Sequence, residues 1–127
     1  MKTTTNSNIT WNTFTNHPSH GVSIWQGGGN NIIHHNTFQD NNPGGTSQGA
    51  DYSSNNVWYD IATSEGNWWN DWTEGDYPIA GDAGSVDPYP LGTPVTNGTP
   101  EFSTGSIFLL VAIPCLFVVV IFHKKKK

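Results

Sequence analysis

Apolar residues enter the first ninety positions mostly singly, set among asparagine, threonine and glycine. No 3.6-residue stripe runs through them, and the abundant polar residues are poor helix formers, so a helical domain is not expected. A longer regularity is present instead. "NSNITWNTF" (Asn6 to Phe14) returns as "NNIIHHNTF" (Asn30 to Phe38), an offset of 24 residues. Ile9 falls on Ile33, Asn12 on Asn36 and Phe14 on Phe38. A further step of 24 sets Val57, Asp60 and Ala62 on Ile33, Asn36 and Phe38, and Asn55 on Asn31 and Ser7. A fixed period of this length predicts a stacked repeat architecture.

Each period has room for a coil of three short strands. "GVSIW" (Gly21 to Trp25) alternates apolar and polar residues as a half-buried strand does. Inward Ile, Val and Phe side chains then stack on their counterparts one coil away. Asparagine tolerates left-handed corners and bonds to nearby backbone, so Asn12, Asn36 and Asp60 are expected to form a ladder at one corner. Gly21-Val22 and Gly49-Ala50 look equivalent despite their wider separation, with the difference absorbed in loops. The expected organisation is β coils over residues 1–64 and an aromatic cap over 65–91. A Gly/Thr/Pro linker over 92–105 and two C-terminal segments follow.

These phrases carry a resemblance. "NNIIHHNTF" and "GADYSSNNVWYD" resemble the repeats of right-handed parallel β-helix proteins, closest to the family named for the periplasmic copper-binding protein NosD. Its members are also described as carbohydrate-binding and sugar-hydrolase β-helices. "EGNWWNDWTEGDYPIAGDAGSVDPYPL" (Glu65 to Leu91) resembles the tail closing such helices in many archaeal surface proteins. The resemblance spans Ser7 to Leu91 and implies an all-β, right-handed parallel β-helix of a surface protein, with further coils upstream.

The C-terminal segments change the picture of location. "SIFLLVAIPCLFVVVIF" (Ser106 to Phe122) is 17 uncharged residues. At ~1.5 Å per residue it reaches about 26 Å as a helix, the short end for one membrane span. "HKKKK" (123–127) follows and predicts a cytoplasmic end, with the β domain outside the cell membrane. Cys115, the single cysteine, falls inside this run and leaves no disulfide or external thiol site. "MKTTTNSNITW" lacks the apolar stretch of a secretory signal, so the chain reads as a fragment or as part of a split longer protein.

Of the first 105 residues ten are acidic and one, Lys2, is basic. Nucleic acid is excluded as a partner by the missing basic surface. The partners expected are polysaccharide or cell-envelope proteins, together with the membrane through one helix. Trp68, Trp69 and Trp72 are candidates to stack on sugar rings, although covering the open end of the coils is the role that better fits their clustering. Asn97 and Asn8 head Asn-x-Thr triplets and are candidate glycan acceptors, Asn97 the better placed.

Reactive groups are few. A glycoside hydrolase needs two carboxyls across the scissile bond, and Asp40, Asp60 and Glu65 are the candidates. Lyase chemistry wants a basic group that only Lys2 could supply. Asp76, Asp82 and Asp87 sit among glycines and could hold Ca²⁺, or anchor turns through backbone N–H groups. His17 and His20 have a spacing that can bind a metal ion when a third ligand arrives; the Cu²⁺ of the resembled family's name carries over to no particular position. His34 and His35, as strand neighbours, are expected on opposite faces. No resident cofactor is expected. The reading favoured at this point is a non-catalytic, membrane-anchored surface module that binds glycans or envelope proteins. A polysaccharide-active hydrolase fragment and a Cu- or Ca-binding protein are the alternatives.

Overall fold

A computed structural model describes residues 5–96. Among these residues nine short strands form in chain order: β1 (Asn8–Thr10), β2 (Thr13–Thr15), β3 (Val22–Ile24), β4 (Ile32–His34), β5 (Thr37–Gln39), β6 (Gly49–Asp51), β7 (Trp68–Trp69), β8 (Tyr77–Pro78) and β9 (Val86–Asp87). Each strand of the first coil pairs parallel with its counterpart in the second: β1 with β4, β2 with β5, β3 with β6. Ile9 faces Ile33 and Phe14 faces Phe38 in register. β8 and β9 form an antiparallel pair. The architecture is all-β and mostly parallel, coarsely that of a solenoid.

Corners between strands use left-handed backbone. Asn6, Asn30 and Asn55 have φ of 52, 56 and 63°, and Asn16 and Asp40 have 54 and 55°. Asparagine and aspartate pay little for this conformation. Other asparagines stitch one coil to the one before. The side-chain oxygens of Asn31, Asn36 and Asn41 accept from the backbone N–H of Ser7, Asn12 and His17, each across 24 residues at 3.0–3.1 Å. The Asn36 and Asn41 amides also donate back to the carbonyls of Ile9 and Phe14. Buried polar groups are thereby satisfied without a helix.

The third coil corrects the expected register. Val57 bridges to Ile32 rather than to Ile33. Below Asn36 lies Asn67, 31 residues on, and not Asp60: the Asn67 side-chain oxygen accepts from the Asn36 backbone N–H at 3.1 Å. Phe38 faces Trp69 in the β5–β7 pair, and Ala62 is exposed. The physical reason is area: an indole fills the inward position above which Phe38 lies, whereas an alanine would leave a void. β6 slips likewise, with Val22 facing Gly49 and not Ala50. Trp58 occupies the space that a Cβ at Gly49 would need, 2.9 Å away.

Inward side chains make one core of Ile24, Ile33, Phe38, Trp58, Trp69, Tyr77 and Ile79. Its spine is a column of rings. Phe14 stacks on Phe38 at 5.0 Å, Phe38 on Trp69 at 4.1 Å, and Trp69 on Tyr77 at 4.0 Å. Asp87 closes the far end, its carboxylate accepting from the Asn67 N–H at 2.7 Å, the Trp69 indole at 2.9 Å and the Tyr89 N–H at 3.0 Å.

The membrane-anchored topology is corrected. Among the described residues there is no helix, hence none long and apolar enough to cross a membrane. The run 106–122 and the tail 123–127, on which that expectation rested, lie outside the described residues, as do Asn97 and Lys2. The single-pass cell-membrane location, and the envelope partners inferred from it, therefore have no support in the fold.

Candidate metal centre

The corner between β4 and β5 breaks the alternation that strand geometry imposes. His34 ends β4, and His35 has φ of 52°, so the chain turns left-handed between them. The two rings come to the same side instead of opposite ones. Their Nδ1 atoms are 2.6 Å apart, with the rings edge to face at 71°. Both side chains are half-buried.

A loop supplies the third donor. The step from Asn36 to Asn67 is 31 residues where the step from Asn12 to Asn36 is 24. The excess forms a tight turn over 60–65. Asp60 N–H donates to the Glu65 carbonyl at 2.7 Å, and Ser64 N–H to the Asp60 carbonyl at 2.9 Å. The Asp60 carboxylate accepts from Ala62 N–H at 2.9 Å. This turn carries Asp60 to the histidines: one donor atom each from His34, His35 and Asp60 lie within 4.8 Å of one another. Glu65 reaches the far edge of the same cluster, its Oε2 standing 2.9 Å from His35 Nε2.

Protonation in this cluster suits a cation. Burial lowers the His34 pKa below its ordinary value, the neighbouring His35 lowers it further, and Asp60 and Glu65 oppose the shift. His34 is therefore neutral at pH 7 with a lone pair available. The Ala62 N–H bond leads the causes that hold the Asp60 carboxyl below the usual range, and the hydrogen bond from His35 does the same for Glu65. Donation of the His35 Nε2–H to Glu65 leaves Nδ1 as the acceptor, facing His34. One proton between the two Nδ1 atoms gives an N–H···N bond; a metal ion held there would take both Nδ1 lone pairs, with the His34 proton carried on Nε2 instead. Tetrahedral donors at ~2.0–2.1 Å from Zn²⁺ stand about 3.3 Å apart, so ligation needs the rings to part by roughly 0.7 Å. Two imidazoles and one carboxylate match Zn²⁺ or Cu²⁺ better than Ca²⁺, which takes an all-oxygen set.

The residues singled out in the sequence are dispersed. Asp60 and Glu65 join the histidine cluster, whereas Asp40 belongs to another corner, accepting from the Asn70 amide at 2.7 Å. His17 and His20 organise a turn: His17 Nδ1 accepts from Ser19 N–H at 3.2 Å, and His20 lies 3.3 Å from the Asn42 amide. Asp87 is committed to the cap, and Asp76 and Asp82 are exposed. Trp69 is buried in the core, and Trp72, half-buried, donates its indole N–H to Gly75. Trp68 lies half-buried in β7, and Asn8 is exposed in β1. The most exposed tryptophans are Trp11 and Trp25. The signal that marks the centre is spacing: "WNTF", "HNTF" and "GNWW" place Asn12, Asn36 and Asn67 unevenly, and the surplus residues include both carboxylates.

No protein-family model matches the chain, and no curated protein or solved structure is similar to it at a significant level. The resemblance to NosD-type β-helix surface proteins is accordingly not supported.

Proposed function

We propose that this chain binds a divalent transition-metal ion of the Zn²⁺ or Cu²⁺ class through His34, His35 and Asp60. The observation that carries the reading is the gathering of these three donors within 4.8 Å. Two further features support it. The coil departs from its 24-residue spacing at the turn that carries Asp60, and insertions in stacked repeats commonly form the binding face. His35 also has its proton held on Nε2 by Glu65, the second contact that a ligating imidazole normally makes. The ion stabilises the chain by tying the 60–65 turn to the second coil, and open coordination positions remain for water.

Calorimetric titration of the full chain with Zn²⁺, Cu²⁺ and Ca²⁺ tests this. One Zn²⁺ or Cu²⁺ per chain is expected, with Ca²⁺ bound far more weakly. His34→Ala and Asp60→Asn should each weaken binding at least tenfold, the scale on which even outer-shell partners act. Unaltered binding in both variants would show that the ion sits elsewhere.

A further inference from the structure

We propose that Trp11 is a positioning residue of the metal centre, holding the His35 ring so that Nδ1 faces the ion. This rests on the metal-binding reading above. Trp11 occupies in the first coil the place that His35 occupies in the second, and its backbone N–H donates to the His35 carbonyl at 2.9 Å. The indole lies flat on the imidazole, with centroids 4.9 Å apart and planes 9° from parallel.

Neither backbone preference nor core packing accounts for a tryptophan there. Its φ is 60°, in the left-handed region that bulky side chains avoid. Asparagine or aspartate fills other such corners, at Asn6, Asn30 and Asn55, and at Asn16 and Asp40. Trp11 is 50% exposed and stands outside the hydrophobic core, so burial does not explain it either. Strained residues persist where a local function over-determines them. The ring contact of Trp11 is with His35. Glu65 fixes the same imidazole at its edge, 2.9 Å from Nε2. Face and edge together leave the ring one plane and one tautomer, with Nδ1 facing His34 Nδ1; Asp60 brings its carboxylate to the same cluster. Without the indole the His35 ring is held at its edge alone and can swing about that contact, and an ion must arrest that motion on binding.

The test compares the full-length chain with Trp11→Asn and Trp11→Phe in Zn²⁺ affinity, urea midpoint and Cu²⁺ spectra. Asparagine suits the left-handed corner, so Trp11→Asn should keep or raise the urea midpoint while lowering Zn²⁺ affinity about tenfold. Trp11→Phe restores a flat ring and should recover most of that loss. Bound Cu²⁺ should quench the wild-type fluorescence by a fraction that disappears in Trp11→Phe, and the Cu²⁺ EPR of Trp11→Asn should broaden as His35 loses its fixed plane. Wild-type affinity in Trp11→Asn overturns the proposal. So does a joint loss of stability and affinity without rescue by phenylalanine, which marks a merely structural residue. A wild-type chain that binds no ion fails at the earlier step and removes both readings.

Discussion

Replacing Asn67 with alanine should cut the stability of the β domain by about 3–4 kcal/mol, with about 1 kcal/mol from each of three orphaned groups and the remainder from the void. Asn67 is fully buried and joins the second coil to the cap. Its side-chain oxygen accepts from Asn36 N–H at 3.1 Å, and its amide donates to the carbonyls of Ile33 and Trp58, both at 2.9 Å. Alanine removes these bonds, together with those to the Asn36 amide and the Asp87 carboxylate, and leaves three backbone groups without a partner in a region closed to water. A domain of about ninety residues has roughly 5–13 kcal/mol to lose. With an m-value of about 1.5 kcal/mol/M, the urea midpoint followed by tryptophan fluorescence should fall by roughly 2 M. A loss below about 1 kcal/mol would refute the reasoning, because it would mean that the asparagine ladder is replaceable by water and that coil stacking rests on the ring column alone.

Three further outcomes follow from the same geometry. His35→Asn keeps a residue that accepts φ near 52° but removes a donor and the Trp11 stack; Zn²⁺ binding should vanish in calorimetry while the urea midpoint moves by no more than about 1 kcal/mol equivalent. Burial raises the Asp87 carboxyl above its ordinary 3.8 against the pull of its N–H donors, so the native state holds its proton more tightly than the unfolded chain. The stability from that proton is full below 3.8 and is lost as pH rises through the raised value, and the wild-type advantage over Asp87→Asn in urea melts should shrink over that window and then level. Gly66→Ala should lower the urea midpoint by about 1–3 kcal/mol equivalent, because a Cβ there runs into the Asp87 carboxylate that seats Asn67 and Trp69.

The first two coils were legible in the sequence because parallel in-register stacking puts like on like. Ile9 over Ile33 and Phe14 over Phe38 repeat both letter and spacing. The third coil departs from a constant step because the 60–65 turn intervenes; Asn67 and Trp69, a few residues further on, are the counterparts of Asn36 and Phe38. The metal centre was hidden by a correct rule applied one residue too far. Neighbours in a strand do face apart, but His35 is the corner after the strand, and its left-handed φ folds its ring back beside His34. In the sequence Asp60 and Glu65 read as carboxylates for hydrolysis, and only three-dimensional proximity reveals that they face imidazoles and not Asp40. The surface-anchor reading drew on residues 106–127 and on a family likeness; the former lie outside the described residues and no family model matches.

An anomalous difference map at the zinc edge, from crystals of the chain grown with Zn²⁺, is the most direct test of the metal-binding account. It should show one peak about 2.0–2.2 Å from His34 Nδ1, His35 Nδ1 and an Asp60 oxygen. A peak at His17 and His20 or at Asp76 and Asp82, with the His34–His35 corner empty, would contradict it.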